Sequence, residues 1–204
     1  MSTVYDNTWW FRQTVSDLKR HEGFRKYAYA DPLSALYKAY PKAPWGYKPA
    51  REFLPAGANL ALGEPWTVGY GFTEGVTPYH IMERNVADRR LEIELIKHLS
   101  VLDRLVPQWR KLPEVVITVL ANMAFNMGYA RLSKFAPTLK EVENGNYKVA
   151  ANRLKKTLWY KQTGSRAEEL VKRLETLQVD KRYEVPRADF SQVTGGSSAY
   201  TPSK

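Results

Sequence analysis

The sequence predicts a mainly helical α+β fold of two lobes, a small antiparallel sheet lobe and a helical lobe. Three observations carry that expectation. A strand-like alternation over residues 24–30 and a second strand-like run, WTVGYGF over residues 66–72, both fall early in the chain. From Thr77 onward nearly every segment has helical periodicity. Residues 115–130 are apolar on nearly every side, as in a helix enclosed by others. With 204 residues, 44% of them hydrophobic, the chain can bury a core of its own.

Thr8 is placed to cap a first helix, in which Phe11, Val15 and Leu18 recur at helical spacing until Gly23 stops it near His21. Glu22 therefore falls at a helix C-terminus. Phe24, Tyr27 and Tyr29 then mark a short strand closed by Asp31. Residues 32–66 change texture, carrying six of the chain's 12 prolines and many aromatics, and read as an ordered loop whose side chains pack while its backbone joins no ladder. The glycines of WTVGYGF allow close approach of a backbone or ligand. After Thr77 and Pro78, helices are expected over residues 78–105, 113–127, 133–143, 146–157 and 165–177. One domain over residues 1–184, with the 32–66 insertion in its sheet lobe, and a flexible polar tail over 185–204 complete the expected organisation.

Composition excludes several chemistries. Without cysteine there is no disulfide framework, thiolate nucleophile or zinc knuckle, and three scattered histidines argue against a metal site. No cofactor is expected. A net charge of +10 points to an acidic partner, which nucleic acid, an anionic membrane or a bacterial wall would each satisfy. The N-terminus lacks the pattern of a signal peptide, and the apolar run 115–130 is short for a span of about 20 residues, so a buried central helix is expected rather than a membrane span.

The stretch RHEGFRKYAYADP, residues 20–32, sets two carboxylates at the ends of one short strand. Cleaving a glycosidic bond needs one carboxyl group that delivers a proton to the leaving oxygen and a second, ionised one across the sugar. Glu22 at the negative end of a helix and Asp31 in a hydrated turn have environments that differ in the required sense. On local sequence alone, both are also ordinary helix-end and turn residues.

HEGFRKYAYAD followed by WTVGYGFT resembles the phage-type lysozymes, in which a Glu-Gly pair, a strand ending in Asp and a Thr-Val-Gly-Tyr-Gly strand follow one another. VLANMAFNMG, residues 119–128, is similar to the family's central buried helix, and the segment 135–177, including WYKQTGSRA, to its C-terminal helices. The resemblance implies that Glu22 is the general acid, that Asp31 holds the attacking water with help from Thr67, that Arg166 approaches Glu22, and that Asn126 lines the cleft with an amide. It further implies inverting hydrolysis of the β-1,4 bond between N-acetylmuramic acid and N-acetylglucosamine. The expected partner is bacterial peptidoglycan, with no specific nucleic acid, and the chain is expected to be a monomer. The expected setting is the host cytoplasm before release to the wall, although a virion-borne enzyme would carry the same features.

Two departures from the family pattern stand out. Residues 32–66 intervene between Asp31 and Thr67, and Phe72 occupies the place of a structural histidine. In the insertion, Trp45 or Tyr47 would add a wall on which a sugar stacks, against the alternative that these rings pack the loop itself. His21 reads as a solvated residue or a favourable charge at the negative end of the helix, Trp9, Trp10 and Phe11 as the first helix's core face, and Lys155, Lys156, Lys161 and Arg166 as a solvated or wall-facing basic surface. The rival functions are a lytic transglycosylase acting on the same bond and a non-catalytic basic protein binding cell wall or nucleic acid.

Overall fold

The computed structural model of the chain describes residue 5 and residues 8–187. Helix α1 (Trp9–Glu22) buries Trp9, Trp10, Phe11, Val15 and Leu18, the face its spacing predicts. Thr8 has the extended backbone of an N-cap, but its hydroxyl donates to the Tyr5 carbonyl at 2.8 Å and caps nothing. Gly23, at φ +66°, turns the chain out of the helix and returns its N–H to the Lys19 carbonyl. That turn leaves Glu22 as the last helical residue.

Strands β1 (Arg25–Tyr29) and β2 (Thr67–Gly69) pair antiparallel, Arg25 opposite Gly69 and Tyr29 opposite Thr67, with a bulge on β1 between them. The other edge of β1 is occupied by residues 80–82: Ala28 N–H donates to the His80 carbonyl and Met82 N–H to the Lys26 carbonyl. This pairing corrects the helix expected from residue 78. The backbone of 80–82 is committed to the sheet, so α3 (Arg84–Leu105) starts six residues later than its first-turn proline suggests.

The insertion is an ordered cover with its own small core. Helix α2 (Ala35–Ala39) is capped by the Ser34 hydroxyl, and two 3₁₀ turns follow at Ala50–Glu52 and Leu60–Gly63. Trp45 sits at its centre, 5% exposed, stacked on Tyr37 at 5.5 Å and meeting Phe53 edge-on at 5.0 Å. Its indole N–H donates to the Tyr40 carbonyl, and Trp66, Leu36 and Ala50 complete the cluster. The expectation that Trp45 walls a glycan is therefore corrected, since a ring packed on both faces has none left for a sugar. Tyr47 is exposed, with the Arg25 guanidinium 4.4 Å above its ring. Gly46 beside it must be glycine: its φ is +76°, and a Cβ there would lie 2.6 Å from the Arg25 stem.

In the helical lobe, α4 (Glu114–Leu132) runs between α1, α3 and α8 (Ser165–Thr176). Among the described residues it is the one helix with the length and apolarity to cross a membrane, and here most of it is buried in the lobe. It kinks at Gly128, one residue past its expected end, and continues as a further turn. Helices α5 (Ala136–Glu143) and α6 (Tyr147–Lys155) lie where expected, whereas α7 (Leu158–Thr163), capped by the Thr157 hydroxyl, fills the gap between the helices expected over 146–157 and 165–177. Residues 178–187 return along α1: Trp9 donates to the Val185 carbonyl, and Val185 N–H to the Gln13 side chain. The folded part thus passes the expected boundary at 184, and the remaining tail from residue 188 lies outside the described residues.

Removing Trp45 should empty the insertion's core. Trp45→Ala is expected to cost about 3–5 kcal/mol in denaturant unfolding, against at most about 1 kcal/mol for Tyr47→Ala, which loses an exposed cation–π contact. Equal losses for the two variants would contradict the assignment of Trp45 to that core.

Candidate active site

Glu22 leaves the carbonyl end of α1, where Gly23 has stopped the helix, and its Oε1 accepts a hydrogen bond from Arg166 Nη1 at 2.7 Å. Arg166 comes from the first turn of α8, and its Nε donates to Asn122 Oδ1 at 2.8 Å. Asn122 is fully buried on α4. Three helices therefore converge on the Glu22 carboxylate, and the guanidinium supplies the counter-charge that the helix end does not. Arg166 was expected near Glu22, but not inside the molecule: its side chain is 11% exposed, so it does not belong to a solvated basic surface. Asn122 entered the sequence reading only as an interruption of an apolar run. A polar amide in an otherwise buried helix must have partners, and that is the signal it offered.

Asp31 lies just beyond β1, in a turn closed by Leu33 N–H on its Oδ1 at 2.6 Å, and its own N–H donates to the Gly63 carbonyl at the far end of the insertion. Thr67 opens β2 directly opposite Tyr29, two residues before Asp31. The Tyr29 phenol records how these groups converge. Its titration is pushed up first by burial, against the nearby Arg25 charge, and then by the carboxylates of Glu22 and Asp31, and Thr67 faces it across the sheet. Glu22 and Asp31 thus both lie within electrostatic reach of one phenol, and Thr67 pairs with that residue despite the insertion that precedes it. Tyr29 was read only as a strand residue. Its place on the same face as Asp31, two positions away, was the available clue.

A cleft of about 380 Å³ opens beside Glu22, lined by Tyr70, Phe72, Phe125, Asn126, Arg90, Glu94 and His98 among others. Asn126 is in it, its Oδ1 fixed by the Trp159 indole N–H at 3.1 Å. Asp31 and Thr67 lie on the sheet side and do not line this cavity, nor do Trp45 and Tyr47. The Tyr70 phenol is pushed up to about 12 by burial and by the Asp88 carboxylate, to which it donates at 2.7 Å; Asp88 in turn pairs with Lys19. Phe72 is buried beneath the Arg90 guanidinium, so apolar packing stands where the family pattern has a histidine.

Behind Arg166 lies a buried charge cluster. Arg173, 1% exposed, makes two hydrogen bonds to the fully buried Asp17 and one to Glu169, which also accepts from Arg20. Burial opposes ionisation of Glu169, but hydrogen bonds from His21 and Arg20 and the charges of Arg173 and Arg20 prevail and hold it at about 2. His21 is not solvated as expected: 6% of its side chain is exposed, and it lies between Glu169 and Asn122. Among the described residues, no group of three or more His, Asp or Glu is placed to hold a metal ion.

The sequence model of the phage lysozyme family matches residues 52–176, more than half of the chain. The chain belongs to the phage lysozyme family. The family match takes in Thr67, Asn126 and Arg166, while Glu22 and Asp31 precede it. The chain is similar to the pre-baseplate central spike protein Gp5 of Enterobacteria phage T4, at 27% identity over 74% of this chain and 25% of that protein. It is also similar to the probable T4-type lysozyme 2 of Dictyostelium discoideum, at 33% identity over 44% of this chain and 51% of that protein. The matches thus span a quarter and about half of those two relatives. In this phage lysozyme relative, Glu22, Asn122 and Arg166 meet where α1, α4 and α8 converge.

The low value of Glu169 has a consequence for acid stability. An unfolded glutamate titrates near about 4.3, so between there and about 2 the unfolded chain binds the extra proton, and the stability Glu169 contributes, present above that window, is lost as pH falls through it. Unfolding free energy measured from pH 5 to pH 2 should therefore fall less steeply in Glu169→Gln than in the wild type. Parallel curves would remove Glu169 from the acid response.

Proposed function

We propose that this protein hydrolyses the β-1,4 bond between N-acetylmuramic acid and N-acetylglucosamine in peptidoglycan. The reading is supported by one observation, on a chain of the phage lysozyme family: the charges of Glu22 and Asp31 both act on the Tyr29 phenol, and Thr67 pairs with Tyr29 across the sheet. In this account, Glu22 gives its proton to the glycosidic oxygen as the bond breaks. Asp31 and Thr67 hold a water that attacks the anomeric carbon from the opposite face, giving inversion. Arg166 sets the position of the Glu22 carboxyl group, and the Asn126 amide offers hydrogen bonds to a sugar substituent in the cleft.

The net charge of +10 suits an anionic wall, since exposed charges raise the rate of encounter. We assign the activity to lysis of a bacterial host, the protein remaining in the host cytoplasm until it gains access to the wall, and acting as a monomer without cofactor.

Glu22→Gln and Asp31→Asn should each reduce clearing of purified peptidoglycan by at least the roughly 10²–10⁴-fold that general acid–base catalysis supplies. Glu52→Gln and Glu64→Gln, exposed carboxylates of the insertion, should leave it unchanged. An essential Glu52 or Glu64 together with a dispensable Asp31 would assign the second carboxylate elsewhere.

A further inference from the structure

The catalytic account leaves one buried imidazole without a role. His21 directly precedes Glu22, about 100° round the helix, and its ring is packed between α4 and α8. Its Nε2 lies 3.4 Å from Glu169 Oε2 and its Nδ1 3.4 Å from Asn122 Nδ2. Asn122 in turn accepts from Arg166 Nε at 2.8 Å, and Arg166 donates to Glu22 at 2.7 Å. A continuous row of side chains thus leads from Glu169 through His21, Asn122 and Arg166 to Glu22.

The chemistry of the row fixes its direction. A guanidinium can only donate, so the Asn122 atom facing Arg166 is its oxygen and the atom facing His21 is its NH2 group, which can also only donate. His21 Nδ1 must then be the acceptor, without a proton, and the imidazole proton sits on Nε2, directed at Glu169. Both imidazole contacts are long, so the row sets orientation more than it adds stability. Arg166 needs that orientation because its remaining nitrogen, Nη2, is buried with no hydrogen-bond partner. When Glu22 carries the proton it is to deliver, the ion pair is gone and Asn122 is the group still holding the guanidinium.

We propose that His21 is a positioning residue: its neutral, Nε2-protonated form orients Asn122 and, through it, Arg166 against the catalytic Glu22. The inference rests on the function proposed above. A proton on Nδ1 would set donor against donor at Asn122. Rotating the amide to relieve that clash would present NH2 to Arg166 and release it. The charged side chains of the surrounding network are Asp17, Glu22 and Glu169 on one side and Arg20, Arg166 and Arg173 on the other. On the other side of His21 lies a cavity of about 480 Å³, lined by Lys172, Lys181 and Arg182 and by Glu168 and Asp180.

The test combines long-range ¹H–¹⁵N spectra of the histidine rings in the full chain, assigned by loss of signals in His21→Gln, with pH profiles of peptidoglycan cleavage. Across the pH range of activity, His21 should show a bare Nδ1 and a protonated Nε2, and kcat should fall with KM unchanged as the ring takes up its second proton. His21→Gln, whose amide supplies one acceptor and one donor, should rescue kcat to within about threefold of wild type and lose that pH step. His21→Lys, a permanent donor, should lower kcat about tenfold or more, within the roughly 10²-fold that a misplaced catalytic group costs. A protonated Nδ1 at the working pH, or the same pH step in wild type and His21→Gln, would overturn the proposal. If the wild type does not cleave peptidoglycan, the functional reading fails by itself. The Arg166 Nε–H resonance then decides the inference: it should be unchanged in His21→Gln and displaced in His21→Lys, and an identical resonance in both variants would overturn it.

Discussion

The structure depends on the buried ion cluster that ties α1 to α8. Arg173 and Asp17 are almost entirely out of water, a costly arrangement offset by hydrogen bonds on both sides: Asp17 receives two bonds from Arg173, one from Gln13 and one from Arg20, and Arg173 also reaches Glu169 and Thr118, with its Nε left without a partner. This pairing fixes the rotation of α1. With Asp17 turned toward α8, Phe11, Val15 and Leu18 face the core, and the helix end brings Glu22 to Arg166. Removing either partner would leave the other's buried charge without its main counter-ion, so the packing of α1 and the placement of Glu22 rest on the same few side chains.

The 32–66 insertion enters between two residues of the proposed site without separating them. Its ends are joined where it leaves the sheet: Asp31 N–H bonds to Gly63, and β1 meets β2 with Tyr29 opposite Thr67. Closing a longer loop costs little additional entropy. The insertion offsets that cost with an aromatic cluster around Trp45 and Trp66. Its side chains pack inward on one another, and Asp31 and Thr67 are held by the sheet at its two ends.

What was legible in the sequence followed from local rules. Gly23 ended α1, alternation marked β1, and the apolar run between Pro113 and Gly128 announced a central helix, because each signal lies within a few residues of its effect. The start of α3 was misread because the backbone of 80–82 is claimed by a strand more than 50 residues away in sequence. Asn122, His21 and the burial of Arg166 were not legible for the same reason. Their meaning lies in pairs separated by 44, 101 and 144 positions, which no local pattern encodes. The resemblance to a family supplied the roles proposed for Thr67, Asn126 and Arg166, while the pairing of Thr67 with Tyr29 and the reach of both carboxylates to that phenol became visible only once the sheet was assembled.

The account's central claim is that water is the attacking group, held across the sugar from Glu22. Digestion of purified peptidoglycan in ¹⁸O-labelled water, followed by mass spectrometry of the muropeptides, tests it most directly. The claim requires one heavy oxygen at the reducing-end N-acetylmuramic acid of each new product. Unlabelled products ending in a 1,6-anhydro sugar would show that the substrate's own hydroxyl attacks, and would contradict the roles given to Asp31 and Thr67.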